Sequence, residues 1–399
     1  MKSFDVVIIG AGIVGLSTAM HLGQALPDKK ILVIDKEAQP AMHQSSHNSG
    51  VIHSGIYYKP GSFRAEFCRA GCQSMAAFCR EHDLPHDICG KVIVATEEEE
   101  LPRLESLYQR GLQNRLEIEK IGPERVKEIE PNVSSLGGIW IASTGITDYQ
   151  VVCHKYAELF EANGGQVQLN TRLENVMIRQ DELILETNQG EIQPEFAINC
   201  AGLHSDRIAH LWGLKPDLKI VPFRGEYYEL VPERRSLINN IVYPLPNPKF
   251  PFLGVHFTRG IDGSIHIGPN AVLGYKREGY RKTDFDFKDF AESITYSGFW
   301  NLALPNMGEG INELVRSWSK RAFLKNTQQM VPTVQLDDIV PAGSGVRAMA
   351  LSPDGSIIDD FMFVDGPHSL HVLNAPSPAA TSSLEIGKAI TKRVISQLQ

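Results

Sequence analysis

The first residues able to do chemistry stand near the N-terminus, Gly10-Ala11-Gly12-Ile13-Val14-Gly15, followed at a distance by Asp35. In a GxGxxG run between a strand and a helix, Gly10 makes the tight turn, Gly12 lets a pyrophosphate approach the backbone, and Gly15 lets helix and strand pack closely. The helix N-terminus supplies amide donors and a favourable dipole for phosphate. Asp35, about 20 residues beyond the last glycine, can accept hydrogen bonds from a ribose diol. This is the chemistry of holding a dinucleotide, with Gly10, Gly12, Ile13, Val14, Gly15, Asp35 and Lys36 as candidate contacts. The motif alone does not separate a flavin from a nicotinamide dinucleotide.

The elements that must position these residues can be read on either side of them. Residues 4–9 are apolar and β-branched apart from Asp5, as in a strand buried on both faces of a parallel sheet. Residues 16–26 read as a helix and residues 30–34 as a second buried strand, which completes a βαβ unit. Residues 43–61, HQSSHNSGVIHSGIYYKPG, are too polar and glycine-rich for a core element and read as a close-fitting loop. Its histidines, His43, His47 and His53, lie among hydroxyl and amide donors rather than on one helix face with acidic partners, so no metal site is expected.

Composition narrows the function classes. A chain of 399 residues with 42% hydrophobic composition can bury a large core in two or three domains. Its 39 basic and 47 acidic residues leave a formal charge of -8, which gives no footprint for nucleic acid, so an anionic substrate needs a local basic pocket. Cys68, Cys72, Cys79, Cys89, Cys153 and Cys200 have no CxxC spacing and read as reduced, cytosolic thiols. The N-terminal apolar run turns glycine-rich without a cleavage site, unlike a signal peptide. No later run approaches the roughly 18 apolar residues of a spanning helix. A cytoplasmic protein is expected, with peripheral attachment at the inner face of a membrane left open.

Further along, residues 88–95 read as an apolar strand that carries Gly90 and Lys91, and the acids at 97–100 read as a helix entry favoured by the dipole rather than a catalytic cluster. A helix is expected near 151–163, stopped by Gly164-Gly165, then short strands at 167–169, 173–178 and 183–187. Residues 196–200 form another buried run ending in Ala201-Gly202, a second place for close backbone approach to a dinucleotide. Short runs broken by Pro and Gly between 220 and 288 suggest an antiparallel sheet. Residues 290–323 are amphipathic and helical in pattern, strands return over 348–373, and a last helix covers 382–398. Nucleotide-binding segments are therefore interleaved with others.

The segments HQSSHNSGVIHSGIYYKPGS, VPFRGEYY, FPFLGVHFTRGIDGSIHIGPNAVLGYKREGYR, GVRAMALSPDG and NAPSPAATSS together resemble the L-2-hydroxyglutarate dehydrogenases and oxidases. These are FAD enzymes of the wider D-amino acid oxidase and glycerol-3-phosphate dehydrogenase class, and the resemblance spans residues 5–383. It implies an α/β fold in which a Rossmann-like FAD-binding domain (1–88, 142–220 and 335–399) is interleaved with an α+β, antiparallel-sheet substrate-binding domain (89–141 and 221–334). It also implies that Ser45, Ser46, Asn48, Ser49 and Gly50 surround the cofactor, with His53 near its reactive edge, and that Val176 and Gly202 help to hold the adenosine half. The C-terminal flavin contacts then fall on Pro376, Ser377, Ala379, Ala380 and Thr381, where the last helix's N-terminus can stabilise negative charge on the reduced flavin. Asp35 departs from the glutamate that many members of the class carry there.

Oxidising a 2-hydroxy acid needs a cation for the carboxylate, a base for the hydroxyl proton, and a hydride acceptor, which flavin N5 supplies. Histidine is the favoured base because its ordinary pKa lies near working pH. Among 13 histidines, His256 and His53 are the candidates. His256 belongs to an alternating strand, where Val255 and Phe257 face one side and His256 and Thr258 the other; His266 on the next strand reads as structural. Arg224, Arg259 and Arg347 are candidates for the carboxylates, because guanidinium pairs bidentately. Tyr57, Tyr58 and Lys59 are candidates for the pocket mouth, although Lys59-Pro60-Gly61 also reads as a turn. The expected reaction is oxidation of L-2-hydroxyglutarate to 2-oxoglutarate, with oxygen or a quinone taking the electrons. The competing readings are an oxidase of an amino acid or another 2-hydroxy acid, a flavin-binding sensor without catalysis, and an NAD-dependent dehydrogenase.

Overall fold

Two sheets divide the strands, and the chain passes between them repeatedly. The computed structural model describes residues 2–179, 182–246 and 254–398; residues 250–253 of the family-like stretch leading to His256 lie outside the described residues. The first sheet has eight strands, in the order Leu173–Arg179, Glu182–Thr187, Gly190–Asn199, Lys2–Ile9, Ile31–Ile34, Gln166–Gln168, with Ser369–Asn374 and Met362–Gly366 continuing beside the end of Gly190–Asn199. Its centre is parallel, with Val6 in register with both Phe196 and Ile31. Helix Ile13–Ala25 crosses between the first two strands, so the expected βαβ unit is present.

The glycine motif is explained by close contacts. A Cβ on Gly15 would sit 2.0 Å from the Gly10 carbonyl oxygen, and one on Gly10 would sit 2.5 Å from the Cys200 carbonyl oxygen. Gly10 also has φ +113°, a conformation that L side chains rarely adopt. Helices Tyr149–Ala162 and Ser383–Leu398 pack beside Ile13–Ala25: Ser17 Oγ donates to the Ser383 carbonyl at 2.8 Å, and the Tyr156 hydroxyl meets Ser383 Oγ at 3.0 Å. Leu16, Leu22 and Phe160 are fully buried there, each contributing about 1.5–3 kcal/mol of apolar burial.

The second sheet has nine strands. Val272–Leu273, Lys219–Leu230, Ile265–Gly268, His256–Arg259, Ile241–Pro244, Lys91–Ala95, Gly137–Ile141 and Glu119–Ile121 follow in that order, and Ile339–Leu351 runs antiparallel along Lys219–Leu230. The last pairing corrects the boundary expected at 335: a 13-residue strand beyond it belongs to the second sheet, held there by register from Lys219↔Leu351 to Leu230↔Ile339. Not every pairing is antiparallel, since Ile241–Pro244 runs parallel to Lys91–Ala95. The helical region expected over 290–323 is four helices, Phe287–Ile294, Ser297–Ala303, Met307–Trp318 and Lys320–Met330. The acids near residue 100 enter helix Leu101–Gln113 as expected, and the Glu100 carboxylate accepts from the Thr96 amide at 2.8 Å.

Candidate active site

A cavity of about 1300 Å³ joins the glycine loop to the second sheet. Gly10, Gly12, Ile13, Val14, Asp35 and Lys36 line one end. A Cβ on Gly12 would meet nothing closer than Ser45 Oγ at 3.4 Å, so its backbone stays approachable from the cavity. Asp35 organises this end: Oδ2 accepts from the Ala11 amide at 2.6 Å and Oδ1 from the Glu37 amide at 2.9 Å. Ser45 Oγ accepts from the Ile13 amide at 2.9 Å and so ties the polar loop to the first turn of the helix.

The loop follows the cavity wall unevenly. Ser45, Asn48 and Ser49 line it, whereas Ser46 and Gly50 do not. Ser46 Oγ is turned back to the His43 carbonyl at 3.2 Å, and Gly50 turns the chain at φ +68° against the Thr147 carbonyl. Asn48 fastens the loop by donating to the Gln44 and Ser45 carbonyls and accepting from the Gly50 amide. Gly202 and the segment containing Pro376, Ser377, Ala379, Ala380 and Thr381 also reach the cavity, while Val176 packs in the apolar cluster beside it and Gly15 sits behind the turn.

Glu37, His43 and Glu278 bring ligand atoms within 4.8 Å of one another, as a metal site would. The Lys36 ammonium already lies among them, bonded to Glu37 and Glu278, with His43 Nε2 at 3.2 Å. Burial opposes the Glu278 charge, but His204 and Lys36 outweigh it and hold its pKa at about 2. An internal cation therefore lies among these ligand atoms and offsets part of the charge of the two carboxylates.

At the other end, His53, Tyr57, Tyr58, Tyr227, Tyr243, His256 and Arg347 line the cavity. His256 is 6% exposed, and its ring lies 4.0 Å from that of Tyr243. Its Nδ1 is 2.9 Å from the Gly254 carbonyl; a carbonyl can only accept, so Nδ1 carries the proton and Nε2 presents a lone pair. Burial pushes the His256 pKa down to about 3, with the charges of Arg347 and Lys91 adding to it against the Gly254 bond. Burial likewise takes His53 to about 3, helped by Lys91, His256 and Arg64. Both rings are neutral at working pH.

The arginines separate by strand alternation. Gly225 and Tyr227 face the cavity from Lys219–Leu230, which turns Arg224 and Glu226 to the opposite face. There the Arg224 guanidinium is buried and spent on Glu226 at 2.9 Å and the Arg281 carbonyl at 3.2 Å. Arg259 shares its face with Phe257, opposite His256, and pairs with Asp87 at 3.3 Å near solvent. Arg347, in register with Phe223, does reach the cavity, where its Nη1 donates to the Asn270 carbonyl at 3.3 Å. Lys59 is exposed and off the cavity, its carbonyl accepting from the Ser62 hydroxyl at 2.7 Å in a turn. Sequence reasoning missed Tyr227, Tyr243 and Arg64, which stacks 4.4 Å over the Tyr58 ring. It also passed over Lys91, whose signal was a charge inside an otherwise apolar strand.

The profile of the family described as FAD dependent oxidoreductase matches residues 5–393. L-2-hydroxyglutarate dehydrogenase of Escherichia coli strain K12 is 45% identical over 392 residues, covering 98% of this chain and 93% of that protein. The mitochondrial L-2-hydroxyglutarate dehydrogenase of Homo sapiens is 43% identical, covering 98% and 89%. Among solved structures, the dithionite-reduced L-alpha-glycerophosphate oxidase of Mycoplasma pneumoniae, with FAD bound, superposes with a TM-score of 0.81 at 22% identity, covering 99% of this chain and 95% of that one. Glycine oxidase from Geobacillus kaustophilus gives 0.76 at 16% identity, with 99% and 95% covered. The fold is shared with both oxidases, and the long match at high identity places the sequence more narrowly: the chain belongs to the FAD dependent oxidoreductase family and, within it, to the L-2-hydroxyglutarate dehydrogenases.

Proposed function

We propose that the protein binds FAD along this cavity and oxidises L-2-hydroxyglutarate to 2-oxoglutarate. What carries the reading is His256: a buried, neutral imidazole with Nδ1 committed to Gly254, leaving Nε2 to take a hydroxyl proton in a cavity continuous with the dinucleotide loop. The residues fit the cofactor, because Gly12 leaves its backbone open, Asp35 orders the turn, and residues 376–381 close the far side. When bound, FAD supplies the acceptor for the substrate's hydride.

The chain's own groups do the rest. Arg347 holds a substrate carboxylate and so aims the hydroxyl-bearing carbon. His256 takes the hydroxyl proton at Nε2, and His53 is the second candidate for that role, since it is neutral in the same cavity. Bound substrate carboxylates raise the affinity of either histidine for a proton, which favours the transfer. Tyr57, Tyr58, Tyr227 and Tyr243 wall the site and exclude water.

The electrons then pass to oxygen or to a membrane quinone. Helix Met307–Trp318 supports the second route, because it is inside out: Glu313 and Ser317 are buried, while Ile311, Leu314, Val315 and Trp318 are exposed, Trp318 by 73%. Trp300, Leu304 and Met307 extend this apolar face, and Lys282 lies 5.2 Å over the Trp318 ring. An exposed apolar helix face of this kind suits a lipid surface. Among the described residues, no helix is long and apolar enough to cross a membrane.

The test is anaerobic titration of the purified holoenzyme with L-2-hydroxyglutarate, following the visible band of oxidised flavin. Bleaching is expected. A band that persists with L-2-hydroxyglutarate but bleaches with an amino acid would replace the substrate assignment.

A further inference from the structure

Lys91 opens the strand Lys91–Ala95 and is 1% exposed. Its ammonium lies 4.9 Å from the centroid of the Tyr243 ring and 5.2 Å from that of Tyr57, and both rings line the cavity. No carboxylate compensates it among the described residues: the only groups that favour its charge at longer range are the thiols of Cys68 and Cys72, and burial raises the pKa of both thiols, keeping them neutral. A buried cation without an anion is costly, and two aromatic faces offset only part of that cost. Beside it, the Tyr57 hydroxyl is buried with no hydrogen-bond partner among the described residues. A positive charge thus sits behind the cavity wall and an unused donor in the wall itself, both suited to an anion that the chain does not provide.

We propose that Lys91 is the specificity-setting charge of the substrate site: held behind the Tyr57 and Tyr243 rings, its ammonium makes this end of the cavity select a dicarboxylate over a monocarboxylate of the same length. The proposal rests on the substrate reading above. Lys91 is a positioning residue, since it acts through the two tyrosines and the field they transmit rather than by touching the reacting atoms. Arg347 meets one carboxylate, and Lys91 stabilises the second.

The test uses holoenzyme and two unreactive probes, glutarate as the dianion and valerate as the monoanion, each titrated against the flavin absorbance band. In wild type, glutarate is expected to bind the more tightly. Lys91→Met, which keeps an unbranched side chain only one atom shorter and removes the charge, should lower the glutarate-to-valerate affinity ratio by about tenfold or more, and Lys91→Arg should restore most of it. An unchanged ratio in Lys91→Met, with FAD content and melting temperature retained, would reduce Lys91 to a packing residue.

If Lys91→Met does not fold, the wild-type holoenzyme still decides. Burial lowers the Lys91 pKa to about 8, so the ratio should fall as pH rises through that value. The groups facing it do not change charge there. His53 and His256 are already neutral, Tyr57 and Tyr243 are pushed up by burial, as are the two thiols, and Arg347, though lowered by burial, starts from the far higher range of a guanidinium. A ratio constant across that range overturns the proposal. A flavin perturbed by glutarate yet never bleached by L-2-hydroxyglutarate sinks the substrate assignment alone.

Discussion

The backbone amide of His53 donates to Thr381 Oγ1 at 3.0 Å, joining the polar loop to the entry of the last helix across most of the chain. The same hydroxyl lies 3.1 Å from the Val51 carbonyl and 2.9 Å from the Tyr149 hydroxyl. One buried side chain therefore fixes both walls of the cavity where the flavin ring is proposed to lie. Thr381→Val keeps the shape and removes the oxygen, leaving the His53 amide unsatisfied. A loss of about 1–3 kcal/mol in urea unfolding is expected, with slower flavin reduction. Unfolding and reduction rates equal to wild type would show that the bond orders nothing.

The two histidines give separate kinetic expectations. His256→Ala should reduce the rate of flavin bleaching by about 10²–10⁴-fold with FAD retained, while His53→Ala should cost less. The reverse order would assign the base to His53. The pH dependence follows from the lowered pKa values. A base is active when deprotonated, and both histidines stay deprotonated down to about pH 3. At substrate concentrations far below saturation, where the rate reports the free enzyme, the reduction rate in stopped-flow work should thus be level from pH 7 to 5, where an ordinary histidine, near 6.5, would already have lost most of its activity.

The glycine turn can be tested through the cofactor. Gly15→Ala puts a methyl 2.0 Å from the Gly10 carbonyl oxygen, and backbone cannot yield as a flexible side chain would. The purified variant should be colourless and melt at lower temperature. Gly12→Ala meets only Ser45 Oγ at 3.4 Å in the protein itself, so it should fold normally and weaken FAD binding alone. A Gly15→Ala variant that keeps its flavin would show that the turn can rearrange.

The parts of this fold that depend on local pattern were legible in the sequence. The glycine motif, both buried strands beside it and the last helix follow from periodicity and from glycine's freedom near the chain start. What could not be read was the outcome of long-range pairing. Ile339–Leu351 joins the second sheet because its partner is Lys219–Leu230, more than 100 residues earlier. Side choice on a strand failed for a related reason: Arg224, Arg259 and Arg347 look alike as sequence, and only the register and the cavity's position decide which of them reaches it. Alternation did carry information, since it separates Arg259 from His256 once either is placed.

The arginines convert that geometry into kinetics. Arg347→Met should raise the dissociation constant for L-2-hydroxyglutarate by about tenfold to a thousandfold, as expected for loss of a charge-assisted carboxylate contact. Arg259→Gln, on the solvent-side pair with Asp87, should leave both binding and reduction within about twofold of wild type. Arg224→Met should instead lower stability, by less than the roughly 3–5 kcal/mol of a stranded buried charge, since the Glu226 carboxylate keeps Lys282 at 3.5 Å and the Ser317 hydroxyl. Should Arg259→Gln weaken substrate as much as Arg347→Met, the opposite face of the strand would have to carry the site.

The exposed apolar face leads to the last expectation. Buried Glu313 accepts from the Ala271 amide at 3.0 Å, and buried Ser317 donates to Glu226 at 2.7 Å. Helix Met307–Trp318 is thus held by polar contacts and presents its apolar residues outward. A contiguous face of this kind marks a contact surface. Co-sedimentation with vesicles containing anionic lipid should capture wild type and fail to capture a Leu314→Lys, Trp318→Glu double variant, since both positions are exposed and neither supports the core. Electron delivery distinguishes the acceptors. If quinone is the partner, vesicles that carry it should accelerate flavin reoxidation in wild type and not in the double variant. Equal acceleration in both would detach this face from catalysis, and reoxidation dependent only on dissolved oxygen would settle the acceptor as oxygen.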